Sequence, residues 1–418
     1  MFDIDKWKEI GSSLAKNKLR TTLTAFGVFW GIFMLVIMIG TGRGLENGVM
    51  NGMGQFATNS VFIWGQRTSV PYQGMQRGRS IQLRNADTDA LKGIEELEKL
   101  APRLNVHGAS NNNVNRGQKS GAFSIFGDYP EWNEIDPVQL LSGRFINQTD
   151  IAYKRKVAVI GQRVRELLFA PDENPLGQYI QIKGIYFQVV GVFKPLNVNM
   201  NFGGDKTQTI HIPFSTTQQA FNYGDRLSFY AMTARPGIDA TLLEEKALTL
   251  LRQRHKVAPD DTRAFGFFNL DKQFKQMSNL FMGINVLVWI VGTGTLLAGM
   301  IGISNIMLVV VKERTKEIGI MRAIGATPRK VTTQIISEAV LLTTVAGYIG
   351  LVLSVLVLEL VNKSLPVDGG QQMFMNPGVD FNMAVTALLI LIVSGVFAGF
   401  IPARRAVAMK PIDALHYE

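Results

Sequence analysis

The chain has 418 residues, 47% hydrophobic and 18% charged, with 43 Lys and Arg against 33 Asp and Glu for a net charge of +10. It contains no cysteine, which excludes a disulfide framework, so any globular part must hold together through its own core. The basic excess is not a nucleic-acid signature, because most of it lies beside long apolar runs, where it reports membrane topology.

Residues 1–20 carry Phe2, Trp7, Ile10 and Leu14, which fall on one side of a helix with lysines alongside. That pattern suits an amphipathic segment on the inner leaflet of a membrane or docked on a partner. Residues 21–42 form the first apolar run long enough to cross a bilayer, which takes about 20 helical residues at 1.5 Å each. Lys16, Lys18 and Arg20 before it resemble the start of a signal peptide. The run is too long for one, and TGRGLENG follows instead of a small-residue cleavage site, so it reads as an uncleaved helix. Gly27 and Gly31, four apart, allow close helix approach, either to a second copy or within the chain.

Residues 43–275 are large enough for one or two globular domains. NSVFIWG is followed by a polar, Gly-rich stretch around residues 73–80, and then by NADTDALKGIEELEKL. With Asp87 or Asn85 as N-cap, Leu91, Ile94, Leu97 and Leu100 have the spacing of an amphipathic helix. KVAVIG at Lys156–Gly161 reads as a strand, and the alternation in YIQIKGIYFQVVGVF predicts a hairpin turning at Lys183-Gly184. A further helix is expected over Ala240–Arg254, making the domain α+β.

No catalytic constellation emerges from this region. His107, His211 and His255 are scattered without metal-ligand spacing and read as surface or capping residues. Asp260-Asp261 and Glu244-Glu245 read as solvated turn and helix surface, since adjacent residues do not face each other. Asn147-Gln-Thr is too short a pattern to carry weight as a glycosylation acceptor. The fragment nearest to a phosphate-binding loop, RGQKSG at Arg116–Gly121, lacks the Gly before its Lys. The chain itself therefore offers no site for a nucleotide, cofactor or metal.

Residues 276–311 are about 54 Å as one helix, against a hydrocarbon core of about 30 Å, so they predict a second span with a projecting stalk. Residues 312–330 are charged: Glu313 with Lys316 and Arg314 with Glu317 stand three apart, and Ile318, Met321 and Ile324 form an apolar ridge. This is either a solvated connector or a docking helix. Gly325 can stop it, after which Thr327 caps and Pro328 opens the third span, residues 331–360. Glu338 and Glu359 bracket that span near its ends, where they can reach water. A short loop, residues 361–380, leads to the fourth span at 381–403, which contains Gly395 and Gly399, and residues 404–418 form a tail with Arg404 and Arg405. Lys and Arg concentrate in residues 1–20, 312–330 and 404–418, which places both termini and that connector in the cytoplasm and residues 43–275 outside.

ERTKEIGIMRAIGATPRKV resembles the coupling segment of the MacB/FtsX-like family of ABC transporter permeases, and PARRAVAMKPIDALHYE resembles its C-terminal signature. KVAVIGQRVRELLF with NPLGQYIQIKGIYFQVVGVF is similar to the core of that family's periplasmic domain, and KNKLRTTLTAFGVFWGIF matches at the first span. The resemblance covers essentially the whole chain in the right order. It implies an α-helical membrane protein with four transmembrane helices and a large α+β periplasmic domain between helices 1 and 2. It further implies a permease in the inner membrane that relays the closing of ATPase subunits through its helices to the periplasmic domain, without passing substrate between the spans.

With MFDIDKWKEI opening directly on the membrane segment, the expectation is a separate ATPase subunit that binds ATP and Mg. The other partners implied are a second permease copy or paralogue, membrane lipid, and a periplasmic adaptor with an outer-membrane channel. The ATPase-coupling candidates are Glu313, Arg314, Glu317, Ile318, Gly319, Met321, Arg322 and Gly325, with Arg404 and Arg405 weaker; Gly27, Gly31, Gly395 and Gly399 are candidates for helix packing. The length of the external region favours the efflux type over the cell-division type. A lipoprotein-releasing permease and a receptor-like sensor without ATPase coupling are the alternatives.

Overall fold

The computed structural model describes residues 18–53, 56–106, 113–196, 204–365, 374–379 and 381–409. The amphipathic pattern of Phe2, Trp7, Ile10 and Leu14, His107, and the tail from residue 410 lie outside them. The described residues fall into a helical unit, up to Gly48 and from Leu280 onward, and a globular unit, Val49–Asn279.

In chain order the elements are α1 (Lys18–Met53), β1 (Ser60–Gly65), β2 (Leu83–Arg84), α2 (Asn85–Leu91), β3 (Leu97–Asn105), β4 (Val114–Arg116), β5 (Lys119–Gly121), β6 (Ser124–Asp128), α3 (Trp132–Ile135) and β7 (Val138–Gly143). There follow α4 (Gln148–Ala152), β8 (Val157–Gly161), α5 (Gln162–Leu168), β9 (Tyr179–Ile182), β10 (Ile185–Pro195), β11 (Thr209–Pro213), α6 (Phe214–Ala220), β12 (Arg226–Leu227), β13 (Phe229–Ala234), α7 (Ala240–Arg254) and β14 (Phe265–Asn269). Then come α8 (Leu270–Glu313), which begins in the globular unit and continues into the helical one, α9 (Thr315–Ala323), α10 (Pro328–Ser364) and α11 (Phe381–Ala408).

The globular unit is built on a 12-stranded sheet in the order β14-β1-β13-β3-β6-β11-β8-β10-β9-β4-β5, with β7 on β10. It is mixed: β6 runs parallel to β11 and β8 parallel to β10, whereas β1, β3 and β13 are antiparallel. One core lies under α7, where Leu243, Ala247 and Leu251 meet Leu91, Val61 and Tyr230; a second lies among α5, β8 and β10. Between them Phe62, Trp132, Ile135 and Phe193 fill the seam.

The β9–β10 hairpin turns where the alternation places it, with Ile182 opposite Ile185 and positive φ at Lys183 (46°) and Gly184 (87°), as a two-residue turn of the I′ type requires. Ile180, Ile182, Phe187 and Val189 are fully buried and Tyr186 faces out. Residues 85–100 correct the sequence reading. The helix stops at Leu91, and Leu97 onward is a strand paired with β13. Leu91 and Leu97 enter the same core from a short helix and a strand, and pairing across the sheet overrides local helix preference. Asp87 is not the N-cap; it sits at the third helical position and accepts the Arg84 backbone N–H at 3.0 Å.

In the helical unit four helices are long and apolar enough to cross a membrane, within Ala25–Asn51, Leu270–Glu313, Pro328–Ser364 and Val385–Ala408. The helix α8 is unbroken over 44 residues, about 66 Å. The fourth helix continues through Pro402 to Ala408, so residues 404–408 are helical. Ala403 and Ala406 are buried in the helical core, and that packing offsets the hydrogen bond a proline removes.

Gly27 and Gly31 lie against α8: a Cβ on Gly27 would be 3.9 Å from Gly299 Cα, and one on Gly31 would be 3.5 Å from the Thr295 carbonyl oxygen. Gly395 and Gly399 lie against α10, where a Cβ would come within 3.0 Å of Val340 Cα and 3.0 Å of Ala339 Cβ respectively.

Candidate functional site

The segment from Glu313 to Pro328 is a short helix between two sharp joints, each written in local chemistry. Arg314 leaves the helical conformation (φ −96°, ψ 15°), and the Thr315 hydroxyl donates to the Lys312 carbonyl at 2.7 Å, closing the end of α8. At the far end Gly325 takes φ +104°. Its N–H bonds to the Arg322 carbonyl at 3.1 Å and the Ala326 N–H to the Met321 carbonyl at 2.9 Å, the bond pair of a Schellman motif. Thr327 then caps α10 by accepting the Lys330 N–H at 3.4 Å, and Pro328 occupies the first turn, where its missing N–H costs nothing.

This geometry divides the candidate residues between two faces. Thr315, Ile318 and Gly319 are buried and Met321 is half-buried against the helical core. Arg314 turns inward: Nε donates to Glu317 Oε2 at 2.9 Å, and Nη1 donates to Glu338 Oε1 at 3.0 Å. Glu338 is 3% exposed, so it does not reach water as the sequence suggested; the Arg314 side chain reaches it from the joint. Glu359 is exposed and lies near Lys363. Arg322 also turns inward, donating to the Val407 carbonyl at 2.9 Å and to the Met409 carbonyl, at the end of α11 where helix carbonyls lack partners.

Outward stand Glu313, Lys316, Glu317 and Gly325, with Ile320 48% and Ile324 83% exposed. Sequence periodicity put Ile318, Met321 and Ile324 on one ridge. The structure sends the first two into the core and pairs Ile324 with Ile320, a residue the sequence reading missed although the spacing of four signals a shared face. Arg404 and Arg405 are exposed on α11, Arg404 over the Phe400 ring at 5.8 Å.

In the globular unit a charged cluster is sealed in the seam, not displayed. Arg103 on β3 pairs with Asp128 Oδ1 at 2.8 Å, and its guanidinium lies between the rings of Phe126 and Trp132, 3.7 Å from each. His211 Nδ1 meets Asp128 Oδ2 at 2.6 Å, and Lys206 donates to Asp136 at 2.9 Å. Burial pushes Asp136 up and Lys206 down from their ordinary values. The cavity at their centre is about 20 Å³, room for one water and not for a substrate.

His211 is thus a buried core residue, neither surface nor cap. His255 does stand at the C-terminal cap of α7, bound to Asp87 at 2.8 Å. Asp261 and Glu244 are also buried, correcting their reading as solvated: Asp261 accepts from Ser69 and from the Val70 and Arg263 N–H groups, and Glu244 accepts from Asn269 at 2.8 Å. Arg116–Gly121 is a β-hairpin bend, with Gly117 at φ +58°, and Asn147 caps α4. Among the described residues no group of His, Asp and Glu is placed to hold a metal.

Four membrane-spanning helices, a mixed α+β domain between the first and second, and a short helix between the second and third define a permease-type membrane protein. Residues 21–250 match the model of the MacB-like periplasmic core domain, and residues 275–411 that of the FtsX-like permease C-terminal domain. The chain belongs to the MacB/FtsX-like family of ABC transporter permeases.

Among curated relatives, the pyoverdine export ATP-binding/permease protein PvdT of Pseudomonas putida is 32% identical over 96% of this chain and 58% of its own length. The macrolide export ATP-binding/permease protein MacB of Shewanella sp. is 26% identical over 99% of this chain and 61% of its own. The chain therefore spans about three fifths of the length of these relatives. The solved periplasmic region of MacB from Actinobacillus actinomycetemcomitans aligns with 54% of this chain and 96% of its own, at 21% identity and a TM-score of 0.43.

Proposed function

We propose that this chain is the permease subunit of an ATP-driven ABC export system working by mechanotransmission. An ABC ATPase docks on the outward face of α9, binds ATP and Mg, and on closing moves the spans, which relay the movement to the globular domain. In this reading the protein sits in the inner membrane with both termini cytoplasmic and the globular domain in the periplasm. It works as a pair of permeases and feeds a periplasmic adaptor and outer-membrane channel.

The observation that carries the reading is the exposed pair Ile320 and Ile324, set among Glu313, Lys316 and Glu317 on a helix closed at both ends by its own joints. Two isoleucines held in water beside charges suit a protein partner better than a bare connector. The relatives' names, which couple ATP binding with permease and export, support the same assignment. The spans carry few intramembrane charges, in keeping with a relay that has no polar conduit.

The test is mild-detergent extraction of the tagged full-length chain, mass spectrometry of what co-purifies, and an ATPase assay on the eluate. An ABC ATPase with adaptor and channel proteins is the expected result. An ATPase with lipoproteins would redirect the reading to lipoprotein release, and recovery of no ATPase would overturn it.

A further inference from the structure

The helix α9 has nine residues, too few to be stable alone in water, and it hangs between two joints. One is the single non-helical residue Arg314, and the other is the Gly325 turn. A push on Ile320 and Ile324 would bend such a segment before it moved the spans, unless something held the helix to its neighbours. The side chains at its two ends do this. Arg314 and Arg322 stand eight residues apart, about 12 Å along a helix, and bond to different spans: Arg314 to Glu338 of α10, and Arg322 to the last carbonyls of α11.

We propose that Arg314 and Arg322 are positioning residues that clamp α9 to α10 and α11, so that force on its outward face is delivered to both spans. This rests on the coupling reading above and deepens it. Neither arginine is an ATPase contact in this proposal, because each guanidinium is bonded to groups of the permease itself. The clamp resists rotation as well as swing, since its two anchors lie on different helices and turning α9 about its axis breaks at least one charge-assisted hydrogen bond. Such a pair adds little net stability over apolar packing, but removing one partner leaves a buried charge uncompensated, so its value is in fixing geometry. Arg314 joins Glu317 to Glu338 across the hinge itself, which makes the joint between α8 and α9 the stiffest part of the connector and not its weakest.

The experiment uses the full chain with its co-expressed ATPase and compares wild type, Arg314→Glu, Glu338→Arg, the double swap, Arg322→Gln, Arg322→Lys and Ile324→Glu. Retention of the ATPase on the tagged permease reports docking. Hydrogen exchange of residues 315–323 reports the clamp, and the change in exchange of α10 on vanadate trapping with ATP reports coupling. The single swaps and Arg322→Gln should keep the ATPase, exchange about tenfold faster over residues 315–323, and lose the nucleotide-dependent change in α10. The double swap should restore both exchange readouts and Arg322→Lys should restore them in part, whereas Ile324→Glu should lose the ATPase.

Loss of the ATPase from Arg314→Glu as complete as from Ile324→Glu would make Arg314 a contact and overturn the proposal. So would an unchanged response of α10 in the single swaps, or failure of the double swap to recover it. If wild type itself retains no ATPase, the coupling reading falls and the positioning role with it, while slower exchange of α9 in the double swap than in the singles still shows the clamp.

Discussion

Arg103 illustrates how this protein keeps a charge inside an apolar domain. Its guanidinium is held flat between Phe126 and Trp132 and paired with Asp128, whose other oxygen is taken by His211, so strands β3, β6 and β11 meet through one carboxylate. Arg103→Met preserves volume but strips Asp128 of its cation, at a cost of about 3–5 kcal/mol for a broken buried pair. Thermal unfolding of the detergent-solubilised chain should shift down by roughly 10 °C for a domain of this size; a shift within the scatter of wild type would mean that His211 alone satisfies Asp128. Asp87 and Asp261 make a pH prediction. Burial pushes the Asp87 carboxyl up, but hydrogen bonds from His255, Arg254 and the Arg84 N–H outweigh it and bring it to about 2. Asp261 reaches about 2 in the same way, with burial opposed by Ser69 and the Val70 and Arg263 N–H groups. Carboxyls depressed in the folded state stabilise it fully above their unfolded value near 4, and that contribution is lost as pH falls through 2. Hydrogen exchange around Ser69 and Arg84 should therefore lose protection toward pH 2, and around Ser69, where every donor to the carboxyl is neutral, it should be flat above about pH 4.5 once corrected for intrinsic rates. The Asp87→Asn and Asp261→Asn variants should be less protected at neutral pH and change less with acid. None of these roles could be read from residue type, because a lone His or Asp in a linear sequence is as consistent with solvent as with a core; only the register of distant strands decides.

At the scale of elements, the glycines of the helical unit are not equivalent. A Cβ added at Gly395 or Gly399 would come inside van der Waals distance of α10, 3.0 Å from Val340 Cα and 3.1 Å from Ile336 Cα respectively, whereas one at Gly27 or Gly31 would sit at ordinary contact distances of 3.9 and 3.5 Å. Gly399→Leu and Gly395→Val must push α10 and α11 apart and should cost about 1–3 kcal/mol or more through overpacking. Gly27→Ala and Gly31→Ala should be close to neutral. Thermal stability by fluorescence size exclusion separates the two pairs, and equal losses at all four positions would mean that the first pair also serves a tight interface elsewhere. Elements with chemical punctuation were legible in advance. Lys183-Gly184 needs two positive φ angles, and Gly325, Thr327 and Pro328 each perform one task at the joint before α10. Residues 85–105 were not legible, because Leu91 and Leu97 suit either a helix or a helix-to-strand turn until β13 is in place. Nor was the division of α9 into an exposed face and an anchored face, since an arginine that caps a distant carbonyl looks the same in sequence as one in solvent.

For the whole molecule, sidedness is the property on which the proposed mechanism depends. An ATPase partner requires α9 in the cytoplasm, and the concentration of Lys and Arg in residues 312–330 and around Arg404 and Arg405 favours that side by the energetics of insertion. The globular domain, reached after a single crossing by α1, must then be on the other side. The chain has no native cysteine, so single cysteines report this without any background to remove. Ile324, 83% exposed, and Tyr186, 62% exposed, are positions where a thiol meets solvent with little effect on the fold. In cells whose outer membrane alone has been made permeable, Tyr186→Cys should react with a membrane-impermeant maleimide and Ile324→Cys should not; opening the inner membrane should make both react. The reverse order would place the exposed isoleucines of α9 away from ATP and sink the ATPase-driven reading together with the clamp. Equal labelling of both before the inner membrane is opened would mean that the apolar helices do not separate the two sites at all. With the expected order, force from ATP would reach the globular domain along the two helices that run into it, α1 and the 44 residues of α8.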